Sequence, residues 1–255
     1  MVPKRFALAR VISKMGHCSR SQAAALIRAS RVRVNGRVVR DPESPVQIPR
    51  DRIEVDGSAL EKTPSVYLAM NKPRGVVTTA SDEKGRATVY DFLDNPAGSA
   101  ARKRHARKWV APVGRLDKAS EGLLLFTNDS AWAAKITDPA THLDKTYHVQ
   151  VDCIPQPDLL AKMIEGCVVD GDRLRAKKAR LLRHGSKNSW LQIVLDEGKN
   201  RQIRRLLEAL QMHVLRLVRV SIGPLELGNL KKGEVRPLTA QEKQALDRAL
   251  LRAER

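Results

Sequence analysis

The sequence predicts an α+β fold, with a small helix–helix–hairpin unit followed by a larger unit of strands and helices. Near the N-terminus, apolar residues at helical spacing give way to an Asn-Gly hairpin signal. Beyond residue 65, strand-like and helix-like segments follow in irregular order, whereas a doubly wound sheet would alternate them. The 255 residues are 42% hydrophobic, enough to bury a core in each unit.

In the small unit, Leu8, Val11, Ile12 and Met15 form one stripe of a short helix, which Gly16 is placed to cap. Ser19 with Gln22 three residues on is a capping-box pattern, and residues 22–29 read as a second helix. Asn35-Gly36 lies between β-branched runs in residues 31–39; both turn positions favour positive φ, so a hairpin is expected. Residues 53–57 read as a last strand and turn. Arg20, Arg28, Arg31, Arg33, Arg37 and Arg40 are spread over the second helix and the hairpin. A small unit with basic residues on one edge reads as an RNA-binding module, here residues 1–60. Residues 61–65, polar and containing Pro64, read as a linker.

The larger unit, residues 66–240, begins with a buried-type strand over 66–70 that ends in a turn, Asn71-Lys-Pro-Arg-Gly75. Residues 98–108 belong to an exposed basic loop, an insertion whose sequence fits a specific contact or no role at all. Residues 122–126 read as a buried strand, while 145–151 and 190–195 alternate as half-buried ones. Ile203, Leu206, Leu207 and Leu210 recur at helical spacing, with Arg201, Arg204, Arg205 and Glu208 on the other face. Residues 214–220 return to strand, and the C-terminus, residues 241–255, reads as a charged helical tail.

Composition narrows the function classes. Lys and Arg number 47 against 28 Asp and Glu, a formal charge of +19, so a partner of opposite sign is expected and nucleic acid is the first choice. Aromatics total 4%, too few for a binder built mainly on stacking platforms or for an aromatic-faced membrane helix. The longest apolar stretch, around 123–126, falls far short of the roughly 20 residues of a membrane span. No apolar run of signal-peptide length follows Lys4 and Arg5. Cys18, Cys153 and Cys167 are scattered and read as reduced thiols of a cytoplasmic protein. With no Cys-x-x-Cys spacing and dispersed histidines, no metal site is expected. Walker, dinucleotide and Gly-x-Ser-x-Gly patterns are absent as well.

One segment concentrates the chemistry: Gly114-Arg-Leu-Asp117, followed by Ser120-Glu-Gly-Leu-Leu-Leu-Phe-Thr-Asn-Asp129. Asp117 sits in a polar loop before a buried strand, flanked by Arg115 and Lys118. A carboxylate among cations suits a nucleophile or a base, but on spacing alone a surface ion pair is the commoner case on a basic protein. Glu121, four residues on, makes a carboxylate pair of a spacing that is common by chance.

These residues resemble the catalytic motif of the pseudouridine synthases. The likeness is to the bacterial ribosomal-RNA type, which carries an N-terminal domain named after ribosomal protein S-four. Asn71-Lys-Pro-Arg-Gly75 with Thr78 and Asp82 is similar to the family's first motif, Lys145-Thr-Tyr147 to the strand motif with its tyrosine, and residues 197–205 to the late motif. Residues 215–225 and 233–238 resemble its closing strands, and Ser19-Arg-Ser21 with Val34-Asn-Gly36 its small domain. The departures are mild: Ser120 where Thr is frequent, Leu207 where Met is frequent nearby, Phe6 with Ala7 at the start, and the insertion at 98–108.

The resemblance implies a mixed, mainly antiparallel sheet in the larger unit. It also implies isomerisation of a uridine in ribosomal RNA, with the large subunit favoured and no metal or organic cofactor required. Asp117 would act at the ribose, by attack, by charge stabilisation or by removing a proton. Tyr147 would pack on a base flipped out of the stack, and Arg204 would pair with Asp117. Arg115 would bind phosphate or hold the flipped nucleotide, and Lys72 and Arg74 would contact RNA backbone. Arg201 and Arg205 would be phosphate contacts or a solvated helix face. The implied partner is ribosomal RNA or a pre-ribosomal particle, with a monomer as the default and no membrane. The alternative is a non-catalytic RNA-binding or ribosome-assembly factor on the same fold.

Overall fold

The computed structural model describes residues 5–80, 82–94 and 109–253, so the basic stretch at 98–108 lies outside the described residues. Helices Leu8–Lys14 and Arg20–Arg28 open the small unit. The turn between them needs Gly16 at φ +83°, and the capping box at Ser19 is closed in both directions, by Gln22 N to Ser19 Oγ at 3.1 Å and Ser19 N to Gln22 Oε1 at 3.0 Å. Strands Arg37–Val38, Val32–Val34, Ile53–Val55 and Ser58–Ala59 lie side by side in that order. The hairpin at Asn35-Gly36 has φ +52° and +79°, as a two-residue turn of this hand requires. Leu8, Ile12, Ala23, Ile27 and Val32 are fully buried, and each large side chain among them contributes about 1.5–3 kcal/mol to a core separate from the rest of the chain.

Residues 61–65 run between that core and the larger one. Thr63 N donates to Met15 O at 3.0 Å, while Asn128 accepts from Val66 N at 2.8 Å and donates to Pro64 O at 3.1 Å. The linker is therefore pinned at both ends.

The larger unit is built on a nine-stranded sheet. Its main path runs Lys178–His184, Ser189–Leu195, Lys145–Val151, Val214–Ile222, Glu121–Thr127, Tyr67–Lys72, Val235–Pro237. All pairings along this path are antiparallel except that of Val214–Ile222 with Glu121–Thr127. The mixed, mainly antiparallel sheet that the resemblance implies is thus the one observed. Helices Pro157–Glu165 and Gln202–Ala209 bury Met163, Ile203, Leu206 and Leu207 against one face. On the other face, Ser130–Thr137 and Ala240–Ala253 bury Trp132, Ile136, Leu246 and Leu250. The C-terminal helix is charged, as its sequence reads, but its apolar stripe belongs to the core.

The parallel pair sets up the site. Its register places Arg219 beside Gly122, and the antiparallel pair on the other side places Tyr147 opposite Arg219. Gly122 has φ +103°, and a Cβ there would collide with the backbone N and O of Arg219, so only glycine permits the strands to meet this closely. Five residues before Gly122 in the chain comes Asp117.

Candidate active site

Asp117 lies on the wall of a cavity of about 310 Å³, a volume in the range of small-molecule sites. Arg115, Asp117 and Ser120 line it from the loop before strand Glu121–Thr127. Lys145 and Tyr147 come from one sheet strand and Arg219 from its neighbour, while Arg201 and Arg204 come from the start of helix Gln202–Ala209. Tyr147 is 9% exposed and Asp117 is partly exposed, so the carboxylate faces an open space with an aromatic ring on its wall.

The loop that carries Asp117 is held by its carbonyls. Leu116 O accepts from Thr78 Oγ1 at 2.8 Å, Lys118 O from Gly75 N at 2.7 Å and Ala119 O from Arg204 Nη2 at 3.0 Å. Lys72 Nζ donates to Asp117 O at 3.1 Å, Ser120 O at 2.9 Å and Pro73 O at 3.1 Å, which uses all three of its hydrogens. Burial pushes Lys72 down to about 8, against the opposing pull of the Asp117 and Glu121 charges. The loop thus gains its geometry from the residues of the 71–75 turn and from the helix opposite.

Several site expectations need correction. Lys72 is fully buried and spent on those carbonyls, so it is not a backbone contact for RNA; strand Tyr67–Lys72 runs further than the expected turn and carries it inside. Arg204 does not form the ion pair with Asp117. The carboxylate's cation is Arg201, Nη1 to Oδ2 at 3.8 Å, because the first turn of the helix aims Arg204 at Ala119 O instead. Arg205 donates to Asp172 at 2.8 Å, Asp170 at 3.3 Å and Val169 O at 2.8 Å, tying its helix to the hairpin of Cys167–Val169 and Asp172–Leu174. In this structure it acts as a clamp between the two elements rather than as part of a solvated helix face. Arg74 is exposed and reaches Leu215 O at 3.4 Å, and Arg115 is exposed on the cavity rim. In the small unit, Arg20, Arg28 and Arg37 are exposed. Arg31 is paired with Asp56 at 2.6 Å, and Arg33 is exposed but bonded to Gly36 O at 3.1 Å.

Glu121 is no partner of Asp117 in a carboxylate pair. Its side chain is 3% exposed and is bound by Arg216 at 2.8 Å and Lys232 at 2.8 Å. Burial alone would raise its pKa, but the hydrogen bonds from Arg216 and Lys232 outweigh burial and bring it down to about 2.

Sequence reasoning missed Ser120, Lys145 and Arg219 as cavity residues. Ser120 Oγ, Arg204 Nε and Arg219 Nη2 are buried polar atoms without a partner, and all three residues line this cavity. Arg219 Nε donates to Leu123 O at 2.8 Å, which fixes the guanidinium and leaves the far nitrogen over. A signal for Arg219 existed: it shares the strand phase of buried Leu217, and a cation on an apolar face asks for a reason. Burial pushes Lys145 down, helped by the Arg219 charge. Among the described residues no cluster of His, Cys, Asp and Glu could hold a metal, and no helix is long and apolar enough to cross a membrane.

Comparisons with known proteins bear on this geometry. Residues 66–209 match the family described as RNA pseudouridylate synthase, and residues 8–53 match the S4 domain. Ribosomal large subunit pseudouridine synthase B of Bacillus subtilis is 39% identical over 238 residues, covering 92% of this chain and 93% of the relative. An RNA pseudouridine synthase of Rickettsia bellii is 37% identical over 232 residues, covering 91% and 96%. A crystal structure of a pseudouridylate synthase superposes with a TM-score of 0.63 at 33% identity, over 94% of this chain and 99% of the other.

Proposed function

This chain belongs to the RNA pseudouridylate synthase family, and on that premise we propose that it isomerises a specific uridine of large-subunit ribosomal RNA, with Asp117 as the acting carboxylate. The observation that carries the reading is the placement of Asp117: partly exposed, on a cavity wall with Tyr147, beside Arg201, in a loop whose carbonyls from Leu116 to Ser120 are held.

The reaction breaks the C1′–N1 bond of uridine, turns the base, and forms a C1′–C5 bond. C5 loses a proton and N1 gains one, so nothing is oxidised and no group leaves. The electrophilic carbon is C1′ of the ribose, and a carboxylate at that point serves by attack, by stabilising positive charge or by taking a ribose proton. Tyr147 forms the platform for a base extruded from the RNA stack. Ser120, Arg204 and Arg219 add polar and cationic groups to the cavity wall around that base, and charges fixed in advance stabilise charge as it develops. Arg115 and Arg201, on the rim, take the phosphates that flank the target.

Residues 1–60 supply affinity through the exposed Arg20, Arg28 and Arg37, because phosphate contacts position while base contacts select. Residues 66–240 supply the chemistry, and the helix over the C-terminal segment braces their core. The protein works as a cytoplasmic monomer on ribosomal RNA or a pre-ribosomal particle. Mapping pseudouridine in ribosomal RNA from cells with and without this chain tests the reading. It predicts one large-subunit position that loses the modification and regains it on complementation. An unchanged map would leave the alternative, an assembly factor that binds without isomerising.

A further inference from the structure

In the half of the sheet farthest from the small unit, one face is packed and the other is left open among the described residues. Tyr147, Val149, Leu191, Ile193 and Leu217 point inward to Met163, Ile203 and Leu206. Side chains alternate along a strand, so their neighbours point to the other side. The registers line those neighbours up in rows. Arg183 lies across from Trp190, Trp190 from Gln150, and Gln150 from Arg216. The next row is Arg180, Gln192, His148 and Val218. Arg180 and Arg183 are exposed, and Trp190, Gln150, Gln192 and His148 are half-buried.

We propose that this open sheet face is a second RNA-binding surface, which takes a single-stranded stretch of the substrate RNA away from the target uridine. The proposal rests on the reading that RNA is the substrate. Charge and chemistry argue for that occupant. The second row runs on from Val218 to Glu121, whose carboxylate is already neutralised by Arg216 and Lys232, and the other residues named carry none. The guanidinium carbons of Arg183 and Arg216 stand 5.4 and 5.8 Å from the Trp190 ring centroid, so an aromatic platform is flanked by cations. Gln150 and His148 add a flat amide and an imidazole that match base edges, while Gln192 Oε1 accepts from Arg180 Nε at 2.6 Å and holds that guanidinium over the face. Burial, with the Arg183 and Arg180 charges, pushes His148 down, which leaves a neutral imidazole free to donate or accept. An open antiparallel face with an aromatic residue and flanking cations binds single-stranded RNA by stacking and by phosphate contacts. None of these groups lines the cavity that holds Asp117, so the face acts on affinity and not on the chemical step.

The test uses the full-length protein, a large-subunit ribosomal RNA transcript, and a short hairpin carrying the mapped target. Arg180→Gln with Arg183→Gln removes two exposed charges. Binding to the transcript should then show a salt slope shallower by about 1.4, at about 0.7 per single-strand phosphate contact. Trp190→Leu should weaken that binding roughly tenfold with the slope unchanged. The turnover rate on the hairpin should stay at the wild-type value in all cases. A transcript slope and affinity unchanged in the folded double variant would overturn the proposal, as would capture of an acidic ribosomal protein lost in that variant while RNA binding stays intact. Wild-type protein that shows the slope effect but isomerises nothing would overturn the enzymatic reading and support this one.

Discussion

Replacing Lys72 with Met removes a buried cation from beneath the Asp117 loop. Three carbonyls lose a donor, those of Pro73, Asp117 and Ser120, although Asp117 O keeps the Ser120 N–H at 3.0 Å. A hydrogen bond from a charged donor contributes about 1.5–3 kcal/mol, so the loss is about 4–9 kcal/mol before any offset. The offset is the cost of burying the ammonium: its depression from 10.5 to about 8 corresponds to about 3 kcal/mol that Met does not bear. The net destabilisation is then about 1–6 kcal/mol. A freed loop also misplaces the carboxylate, and a displacement on the order of 1 Å costs about a hundredfold in rate. Urea denaturation reads the first effect and single-turnover isomerisation the second. The pH dependence has a defined sign. Between about 8 and 10.5 the unfolded chain holds a proton that the folded chain has released, so this group's contribution to stability rises with pH across that window. Since Lys72 touches no RNA, the salt slope of binding should not change. Wild-type stability and rate in Lys72→Met, or a slope shallower by about one contact, would refute the carbonyl-holding role.

Other consequences follow from the same neighbourhood. Glu121→Gln leaves Arg216 and Lys232 without their carboxylate, and a loss of about 2 kcal/mol is expected by thermal or urea unfolding, discounted because both cations are partly exposed. In the wild type, the Glu121 contribution is fully present above its unfolded value near 4.5 and is lost as pH falls through about 2, which an acid titration of stability checks. Gly122→Ala forces a Cβ onto the Arg219 backbone at positive φ, so it should prevent soluble expression or abolish isomerisation; an active, stable variant would contradict the close strand approach. Deleting residues 1–60 should leave the larger unit folded by circular dichroism, because the two cores are separate, and should weaken ribosomal RNA binding with a shallower salt slope.

Local signals in the sequence were legible wherever a few adjacent residues decide the conformation. The Ser19–Gln22 capping box, Gly16 and the Asn35-Gly36 turn are such cases, and so are the alternating strands around Tyr147 and Trp190. The segment around Asp117 is contiguous, so its likeness to the family's catalytic motif could be read directly, whereas an acid between two cations by itself suits a surface ion pair. What could not be read depends on partners distant in the chain. Arg205 looks like any cation on a helix face until Asp170 and Asp172 arrive from another hairpin. Lys72 looks like a turn residue until the Asp117 loop folds over it. Whether Arg201 or Arg204 faces the carboxylate is settled by the first turn of a helix, where Arg201 takes φ +47°, and residue spacing alone does not show that. Arg219 carried a signal that went unused, since it alternates with apolar neighbours along its strand, whereas the burial of Glu121 depends on Arg216 and Lys232 arriving from elsewhere in the chain.

The most direct test is the single-turnover conversion of uridine to pseudouridine in large-subunit ribosomal RNA by wild-type protein and by Asp117→Asn, with RNA affinity measured on the same preparations. The variant should convert no uridine while binding RNA within a few-fold of wild type, since the exchange keeps the side chain's shape and removes the group that acts at the ribose. Conversion by Asp117→Asn at the wild-type rate would remove that carboxylate from the chemistry and contradict the account at its centre.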